Sequence, residues 1–363
     1  MKFIFWQNVV SIHQVPFLKS LSSSNEVVLI VEKEIDEFRQ NQGWTIPELG
    51  NIKLIIHPTD MDIDHIIKKN PNAFHFFSGF SLNKMLNVAL KKAIQNKTKY
   101  IGVILEPFNN KGFTGFLRKI KYTIYAIKYR NKIKALLVTG KLARSCYESV
   151  GFSNNKIYDW AYFTKENQPK NRSFSYRTKK NLLFVGSINE RKNLLGVIDG
   201  IIENLNYFNE FYIVGSGNKE FELKNKIEGI EKVKLLGNIT NNEVNKIMNK
   251  SDILILPSIF DGWGAVVNEG LQNGNQVLVS DDCGSSILVD GNERGEVFSN
   301  SKNDFSKVLK KWLTEKPLDE EQRISIMDWS SKSISPKVIP FYFQSIINHV
   351  INQSDKKPTA PWI

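Results

Sequence analysis

Short apolar runs alternate with longer polar segments along the first half of the chain. Six of these runs have the length and composition of buried strands: 3–5, 27–31, 53–56, 74–77, 100–105 and 136–138. Between them, segments such as 15–21 and 84–95 space their apolar residues as one face of a helix does. Strand and helix in alternation predict a parallel sheet with helices on both faces.

The second half repeats this alternation. Five strand-like runs occur, at 182–185, 211–214, 233–236, 253–256 and 276–279. Each is followed by Gly, Pro, Ser, Asn or Asp residues, which are typical of turns. The pattern therefore predicts a second sheet of the same kind.

A polar stretch between the two halves marks the predicted domain boundary. Residues 166–180 form the expected linker between an N-terminal domain at 1–165 and a C-terminal domain at 181–335. A helix over 336–353 is expected to pack back onto the first domain, and a polar tail follows at 354–363. The predicted fold is α/β, with two Rossmann-like, doubly wound domains. Ligands of such sheets bind outside the carboxyl ends of the strands, so we expect a site in a central cleft that the two domains face.

Composition adds an expectation about the partner and the compartment. The chain has 363 residues, enough for two domains, and a net charge of +12, which favours an anionic partner or a solvated, lysine-rich surface. Its two cysteines, Cys146 and Cys283, provide neither a disulfide framework nor metal-ligand spacing, which fits a reducing compartment. The first residues predict a strand and not a signal peptide, and no apolar run is long enough to span a bilayer. We therefore expect a cytoplasmic protein, peripheral at the inner face of the plasma membrane.

The strongest motif follows the fourth strand-like run of the second half. A turn containing Gly262 and Gly264 precedes a helix that is predicted to begin near Ala265. Backbone N–H groups at such a helix start favour an anion, and glycine lets the anion approach the backbone. The carboxylates of Asp261 and Glu269, eight positions apart, could accept hydrogen bonds from sugar or ribose hydroxyls. A helix-capping Asp and a solvated Glu remain the alternative.

A second motif follows the first strand-like run of the same half. Gly186 and Ser187 form a turn, and Arg191 and Lys192 come just before a predicted helix. Either cation could meet a phosphate at this edge of the sheet. Alone, the motif is also compatible with basic residues that are simply solvated in a loop.

Together the two motifs resemble the nucleotide-sugar-binding half of the retaining GT-B glycosyltransferases of family 4, of the bacterial surface-polysaccharide type. Further stretches resemble that family in the same order: 214–217, 236–239, 251–258, 274–280, and Asp290-Gly291 with Gly295. The resemblance covers about residues 181–313. In the first half, 13–18 and 151–163 match more loosely.

The resemblance implies roles for individual residues. Glu269 would bind the nucleotide ribose and Lys192 the diphosphate. Asp261 stands where the family has a Glu that touches the donor sugar, and it is one methylene shorter. Ser187 replaces the usual Arg, for which Arg191 could substitute. The implied catalytic residues are Asp261, Lys192 and His75, and the implied donor-binding residues are Glu269, Gly264, Ala265, Gly262, Arg191, Ser187, Gly186, Ile239 and His13.

The implied reaction is glycosyl transfer from a nucleotide diphosphate sugar, with a UDP-sugar favoured, to a glycan or a lipid-linked glycan in cell-surface polysaccharide synthesis. Negative charge develops on the departing diphosphate, and positioned cations and a helix start would stabilise it. The resemblance also implies retention at the anomeric carbon, no metal and no cofactor. A non-catalytic GT-B subunit that binds a glycan or a partner transferase remains an alternative, as does a nucleotide-sugar epimerase of the same fold.

In the first domain, three side chains are candidates. His13 lies in the loop after the first strand, where the family often has glycine, and His75 is expected at the end of a strand facing the cleft. Either histidine could instead be structural. Glu106 ends another strand and is expected on the acceptor side.

The basic charge is concentrated in one segment. No Asp or Glu occurs between residues 107 and 147, and apolar and aromatic residues interleave with the basic ones over 111–144. This pattern predicts contact with an anionic membrane surface, unless the segment is a core helix with a solvated basic face. No nucleic-acid motif accompanies it, so no nucleic-acid partner is expected. The basic residues are Lys111, Arg118, Lys119, Lys121, Lys128, Arg130, Lys132, Lys134, Lys141 and Arg144.

Three other patterns suggest chemistry that we do not predict. Gly215 and Gly217 lack the third glycine of a dinucleotide fingerprint, since Glu220 stands at that place. The acidic residues at 60, 62 and 64 resemble a metal-binding D-x-D motif but are expected to open a helix. The pair at 281–282 is expected in a loop.

Overall fold

The computed structural model describes residues 1–36, 45–166, 177–289, 293–352 and 356–363. Most of the predicted linker, the start of the predicted tail, and Asp290 with Gly291 lie outside the described residues. The chain divides into two compact units. Unit 1 contains residues 1–165 and 336–361, and unit 2 contains residues 166–335 and 362–363.

Unit 1 contains a parallel sheet in which the strand order is β3-β2-β1-β4-β5-β6-β7. Its strands are β1 (Lys2–Gln7), β2 (Glu26–Val31), β3 (Lys53–Ile56), β4 (Phe74–Ser78), β5 (Tyr100–Leu105), β6 (Ala135–Thr139) and β7 (Ile157–Trp160).

Unit 2 contains a second parallel sheet, in the order β10-β9-β8-β11-β12-β13. Its strands are β8 (Lys180–Val185), β9 (Phe208–Val214), β10 (Val233–Gly237), β11 (Ile253–Leu256), β12 (Gln276–Ser280) and β13 (Gly295–Phe298).

Among the described residues, α-helices connect most of the successive strands in both units, and the last three helices follow β13. They are α1 (Val15–Leu21), α2 (Asp60–Lys69), α3 (Lys84–Gln95), α4 (Gly112–Tyr129), α5 (Lys141–Glu148), α6 (Leu194–Glu203), α7 (Glu220–Ile227), α8 (Asn241–Lys250), α9 (Val266–Gln272), α10 (Lys302–Thr314), α11 (Glu320–Ser333) and α12 (Ile339–Asn352). Short 3-10 helices occur at Asn154–Lys156 and Gly284–Leu288. The predicted α/β class with two doubly wound parallel sheets is confirmed.

The central strands are buried on both faces because helices cover both sides of a parallel sheet. That burial explains the continuous apolar runs of the central strands, whereas the predicted edge strands β3 and β10 are largely exposed or half-buried. The two strands that the pattern missed, β7 and β13, are the last strand of each sheet. Each has only four residues, and each interrupts its apolar run with a polar one, Asp159 in β7 and Glu296 in β13.

The acidic residues at 60–64 are explained by the start of α2. Thr59 is the N-cap, its hydroxyl accepts from the backbone N–H of Asp62, and the Asp62 carboxylate accepts in return from the Thr59 backbone N–H at 2.9 Å. This reciprocal capping satisfies two N–H groups that a helix start leaves without partners. Asp64 forms ion pairs with Lys68 and Lys92.

The last helix belongs to the core of unit 1. Phe343 of α12 is fully buried, and its neighbour on the same helix, Phe341, is 76% exposed. The Phe343 ring lies with its centroid 5.2–6.2 Å from the rings of Phe3, Phe5, Phe17, Phe76 and Trp160. The aromatic cluster joins α12 to β1, β4, α1 and the end of β7.

We expect the substitution Phe343→Ala to lower the free energy of unfolding of unit 1 by about 3–5 kcal/mol, because it leaves a cavity among these rings. Phe341→Ala is the matched control and should change that free energy by less than about 0.5 kcal/mol. Urea unfolding followed by tryptophan fluorescence measures both variants. Equal unfolding curves for the two would contradict this assignment of the core.

Candidate functional site

The strand order of unit 2 reverses between β8 and β11. β8 is followed in the chain by β9 on one side, whereas β11 and β12 extend the sheet on the other. Ile253 of β11 pairs with Leu182 of β8 and with Gln276 of β12, so the carboxyl ends of these three strands lie side by side. Doubly wound sheets bind ligands at the carboxyl edge of such a reversal.

The loops that follow β8, β11 and β12 are joined by backbone hydrogen bonds. The Ile259 N–H donates to the Arg191 carbonyl at 2.9 Å, which ties the second loop to the first. The Asp261 N–H donates to the Asp282 carbonyl at 3.1 Å, and the Gly284 N–H donates to the Asp261 carbonyl at 3.0 Å. Side chains on the three loops are therefore held in one fixed arrangement.

A polar side-chain network supports the same loops from within. The Asn300 amide donates to the Ser258 carbonyl at 3.1 Å and to the Ser280 hydroxyl at 2.8 Å. Asn193, next to Lys192, donates to the Asn300 amide oxygen at 3.3 Å. These bonds link the residues just before α6 to the ends of β11 and β12.

Gly264 determines where α9 begins. Its φ is +91°, a backbone conformation that residues with a side chain rarely adopt. In addition, a Cβ at this position would lie 2.6 Å from Cδ2 of Leu256, so a larger residue would also clash. The preceding Trp263 is buried, and its indole N–H donates to the Asn268 amide oxygen at 2.6 Å. Ala265 is the N-cap of α9. The first N–H groups of this helix lack intrahelical acceptors.

Lys192, Arg191 and Asp261 form the charged centre of the site. The Lys192 ammonium lies 2.7 Å from Oδ2 of Asp261, and the Arg191 guanidinium lies 3.1 Å from the same oxygen. Lys192 and Asp261 are only 12% and 14% exposed, whereas Arg191 is 50% exposed. Burial alone would raise the pKa of Asp261, but the two cations outweigh it and hold that pKa below its usual value. The carboxylate is therefore ionised and paired.

Glu269 is the fourth residue of α9 and is partly exposed. In the described parts of the chain, its carboxylate has no hydrogen bond or ion pair. Close protein surroundings disfavour the charged form and raise the pKa of Glu269 to about 7, against the opposing effect of the Lys192 charge. This carboxyl is therefore an open hydrogen-bonding group beside the charged centre.

The other predicted residues of this half lie at the same edge of the sheet. Gly186 and Ser187 directly follow β8. A Cβ on Gly215 would lie 2.0 Å from the Gly186 carbonyl oxygen, so the turns after β8 and β9 pack backbone against backbone. Ile239 follows β10, which is two strands away from β8 in the sheet.

The expectation for His75 is wrong. His75 is the second residue of β4, near its amino end, and is fully buried. Its Nδ1 accepts from the Trp6 indole N–H at 3.2 Å, and its Nε2 lies 3.2 Å from the Asn70 carbonyl oxygen, to which it donates. Burial lowers the pKa of His75 to about 4. It is a neutral core histidine. The predicted strand at 74–77 already places it near the amino end, away from the carboxyl edge at which such sheets bind ligands.

The structure brings His13 and Glu106 together in unit 1 through a residue that the sequence analysis missed. The His13 ring stacks on Tyr162, with centroids 5.7 Å apart, and the Tyr162 hydroxyl donates to the Glu106 carboxylate. The three residues follow β1, β7 and β5, so they lie at the carboxyl edge of that sheet. Tyr162 carries no motif of its own, and only its place just after a strand could have indicated it.

Among the described residues, no group of three or more His, Cys, Asp or Glu side chains is placed to hold a metal ion. No helix in the same part of the chain has both the length and the apolar character needed to cross a bilayer.

Comparison with known proteins relates this chain to glycosyltransferases. Residues 165–326, which span the β8, β11 and β12 loops, match the family model of the glycosyl transferases group 1. The uncharacterized glycosyltransferase MJ1178 of Methanocaldococcus jannaschii is 30% identical over 133 residues. That match spans 35% of this chain and 36% of the relative.

Solved structures resemble the whole chain at low sequence identity. The Anabaena protein Alr3699/HepE in complex with UDP has a TM-score of 0.71 at 11% identity, over 96% of this chain and 100% of that one. A glycosyltransferase from Rickettsia africae has a TM-score of 0.68 at 12% identity, over 97% and 99%. WaaG, a glycosyltransferase involved in lipopolysaccharide biosynthesis, has a TM-score of 0.60 at 16% identity, over 95% and 99%. The fold is GT-B. Of the sequence predictions, the GT-B fold is confirmed, and the family match supports a group 1 glycosyltransferase.

The pKa of Glu269 generates a test of the geometry. Because its folded-state pKa of about 7 exceeds the usual 4.5, the proton on Glu269 stabilises the fold fully below about pH 4.5, and this contribution is lost as pH rises through about 7. Glu269→Gln removes that titration. We therefore compare the melting temperatures of the Glu269→Gln variant and the unsubstituted protein. The difference between them should shift by a few degrees in favour of the variant as the pH is raised from 5 to 8. Glu222→Gln, at an exposed residue, is the control, and parallel pH profiles for all three proteins would contradict the assignment.

Proposed function

We propose that this protein is a GT-B glycosyltransferase that moves a sugar from a nucleotide diphosphate sugar to a hydroxyl group of a glycan or lipid-linked glycan. The observation that carries the proposal is the grouping of Lys192, the start of α9 and the open Glu269 carboxyl at the reversal point of unit 2. This grouping lies inside the segment that matches the group 1 glycosyltransferases.

The charged centre suits a diphosphate. Lys192 and Arg191 supply two cations, and Asp261 neutralises one of them, so one positive charge remains before a donor binds. The N–H groups of Gly264 and Ala265 add donors at the start of α9. A diphosphate would share or take the two cations from Asp261 and leave that carboxylate next to the attached sugar.

Glu269 suits a ribose. An acceptor with no partner in the described residues, one helix turn beyond the phosphate donors, can take hydrogen bonds from two adjacent hydroxyl groups. We favour a UDP-sugar as the donor because the Anabaena neighbour was solved with UDP and with UDP-glucose. The base and the sugar follow from no residue of the site.

The chemistry of transfer follows from where the cations lie. The bond between the anomeric carbon and the phosphate oxygen breaks, and its electron pair stays on the diphosphate, where Lys192, Arg191 and the α9 N–H groups stabilise it. The acceptor oxygen forms the new bond on the same face of the sugar, and its proton passes to the leaving phosphate. In this proposal the reaction proceeds with retention, and the side-chain cations take the place of a metal ion.

The acceptor is expected to meet unit 1. The group formed by His13, Tyr162 and Glu106 offers an aromatic surface and a carboxylate at the carboxyl edge of that sheet, both of which suit a carbohydrate. We propose a glycan or lipid-linked glycan of cell-surface polysaccharide synthesis as the acceptor, at the inner face of the plasma membrane. The likeness to WaaG supports this direction.

A non-catalytic subunit of the same fold is the second candidate, and two observations favour it. Asp261 is paired with the very cations that a donor needs, and Ser187 stands where the resemblance implies an Arg. Release of sugar or transfer product from a UDP-sugar by the purified chain alone would exclude this candidate. Binding of the nucleotide without any turnover would favour it.

Two substitutions test the donor site. Glu269→Ala should weaken UDP binding about tenfold to a hundredfold, because it removes charged hydrogen bonds to the ribose. Lys192→Ala should lower turnover about 10²- to 10³-fold, because it removes a cation that stabilises the leaving group. Thermal-shift titration with UDP and UDP-sugars measures binding, and product release measures turnover.

Lys224→Ala is the matched control, since Lys224 forms an exposed ion pair with Glu220 on α7. It should leave both quantities unchanged. If Glu269→Ala and Lys192→Ala bind UDP as tightly as the Lys224 variant, the donor site has been placed wrongly.

A further inference from the structure

The outward face of α4 is a stripe of exposed apolar side chains. Their spacing of three or four residues along the helix places them on one side. The members and their exposed fractions are Phe113 (75%), Phe116 (59%), Leu117 (49%), Ile120 (43%), Ile124 (55%) and Ile127 (69%).

The opposite face of α4 holds the helix on unit 1. Gly115, Ala126 and Tyr129 are buried, and Tyr122 and Tyr125 pack partly buried against the core. The helix is thus apolar on two opposite sides, and the fold uses only one of them. A core helix with a solvated basic face, the alternative left open by the sequence, would not present such a stripe to solvent.

Basic residues flank the stripe. Arg118, Lys119, Lys121 and Lys128 lie between the two apolar faces, and the ammonium groups of Lys121 and Lys128 lie 5.7 Å and 5.1 Å from the centroids of the Tyr125 and Tyr129 rings. Ten basic residues and no acidic one occur between 107 and 147, so this segment carries ten of the twelve excess positive charges. The rest of the chain is close to neutral, so the charge is local and not spread over the surface.

The apolar stripe and the basic residues beside it together favour one kind of partner. A contiguous exposed apolar stripe marks a contact surface. Nucleic acid would match the cations but leave the stripe in water. A second copy of the chain would cover the stripe but bring the four basic side chains of α4 against the same four of its partner. The surface of an anionic bilayer satisfies both, with lipid phosphates for the lysines and the acyl boundary for the stripe.

We propose that α4 binds an anionic lipid bilayer by lying parallel to its surface, with the stripe inserted at the boundary between headgroups and acyl chains. Insertion of the stripe contributes to binding in addition to the attraction of the lysines. The helix does not cross the bilayer, because its inner face is committed to unit 1. This inference rests on unit 1 alone and does not require the proposed transferase activity.

Sedimentation with vesicles tests the proposal. The full chain should bind vesicles of phosphatidylcholine with phosphatidylserine and bind pure phosphatidylcholine vesicles much more weakly. The double variant Ile120→Ser/Ile124→Ser should lower partitioning by at least about tenfold. Lys119→Gln/Lys121→Gln should lower it by about fivefold per charge, an effect that high salt removes.

Two matched variants act as controls. Phe221→Ser on α7 and Phe341→Ser on α12 each remove an aromatic side chain that is as exposed as Phe113, at 77% and 76%. Both should bind vesicles as the unsubstituted chain does. UDP binding should be equal in all these proteins, so a failed donor site and a failed membrane site give different results.

Three results would overturn the proposal. Ile120→Ser/Ile124→Ser could bind anionic vesicles as tightly as the controls, which would leave the stripe without a role. Concentration-dependent self-association that this double variant abolishes, without vesicle binding, would assign the face to a second copy. Retention of nucleic acid in place of vesicles would assign it to that anion.

Discussion

The proposed donor chemistry depends on one ion pair, between Lys192 and Asp261. Lys192 is largely buried, and a buried ammonium without a counterion would be costly. Asp261 supplies that counterion at 2.7 Å and fixes the Lys192 ammonium at the carboxyl edge of the sheet. A donor diphosphate must therefore interact with Lys192 more favourably than the single Asp261 carboxylate does. Two phosphate groups together with the N–H groups at the start of α9 can do so.

The ion pair with Lys192 gives a physical reason for the short Asp side chain at position 261. A Glu, which the family resemblance implies, would extend further from the turn. Asp261 keeps its carboxylate close to its own loop, whose backbone is bonded on both sides to the segment after β12. Lys192 and Arg191 reach it there. Because Asp261 pairs with both Lys192 and Arg191, it helps to fix the positions of the two cations.

The sequence was sufficient where a side chain's role depends on local pattern. Buried parallel strands are continuous apolar runs, and the turn containing Gly262 and Gly264 correctly predicted a helix that begins near Ala265. The expectation for His75 overlooked its place near the amino end of β4. The sequence was insufficient where the role depends on distant loops. Tyr162 meets His13 and Glu106 although β7, β1 and β5 are not adjacent in the sheet. The loops after these strands converge, and the Phe163 N–H donates to the His13 carbonyl at 3.0 Å. β7 and β13 lie at sheet edges, where one polar residue is tolerated and breaks the pattern.

The sequence was also insufficient to predict which face of α4 is buried. Its sequence is apolar at spacings that fit either a buried or an exposed face, and periodicity alone cannot tell which of two apolar sides packs inward. The structure decides through size and polarity. Gly115 permits close approach of the Asn110 backbone, Ala126 lies in the core, and the rings of Tyr122 and Tyr125 pack against that core. The larger aliphatic side chains are left outside. On a face exposed only to water that arrangement would be unfavourable. Beside an anionic lipid surface, the apolar stripe and the four basic side chains of α4 would both find partners.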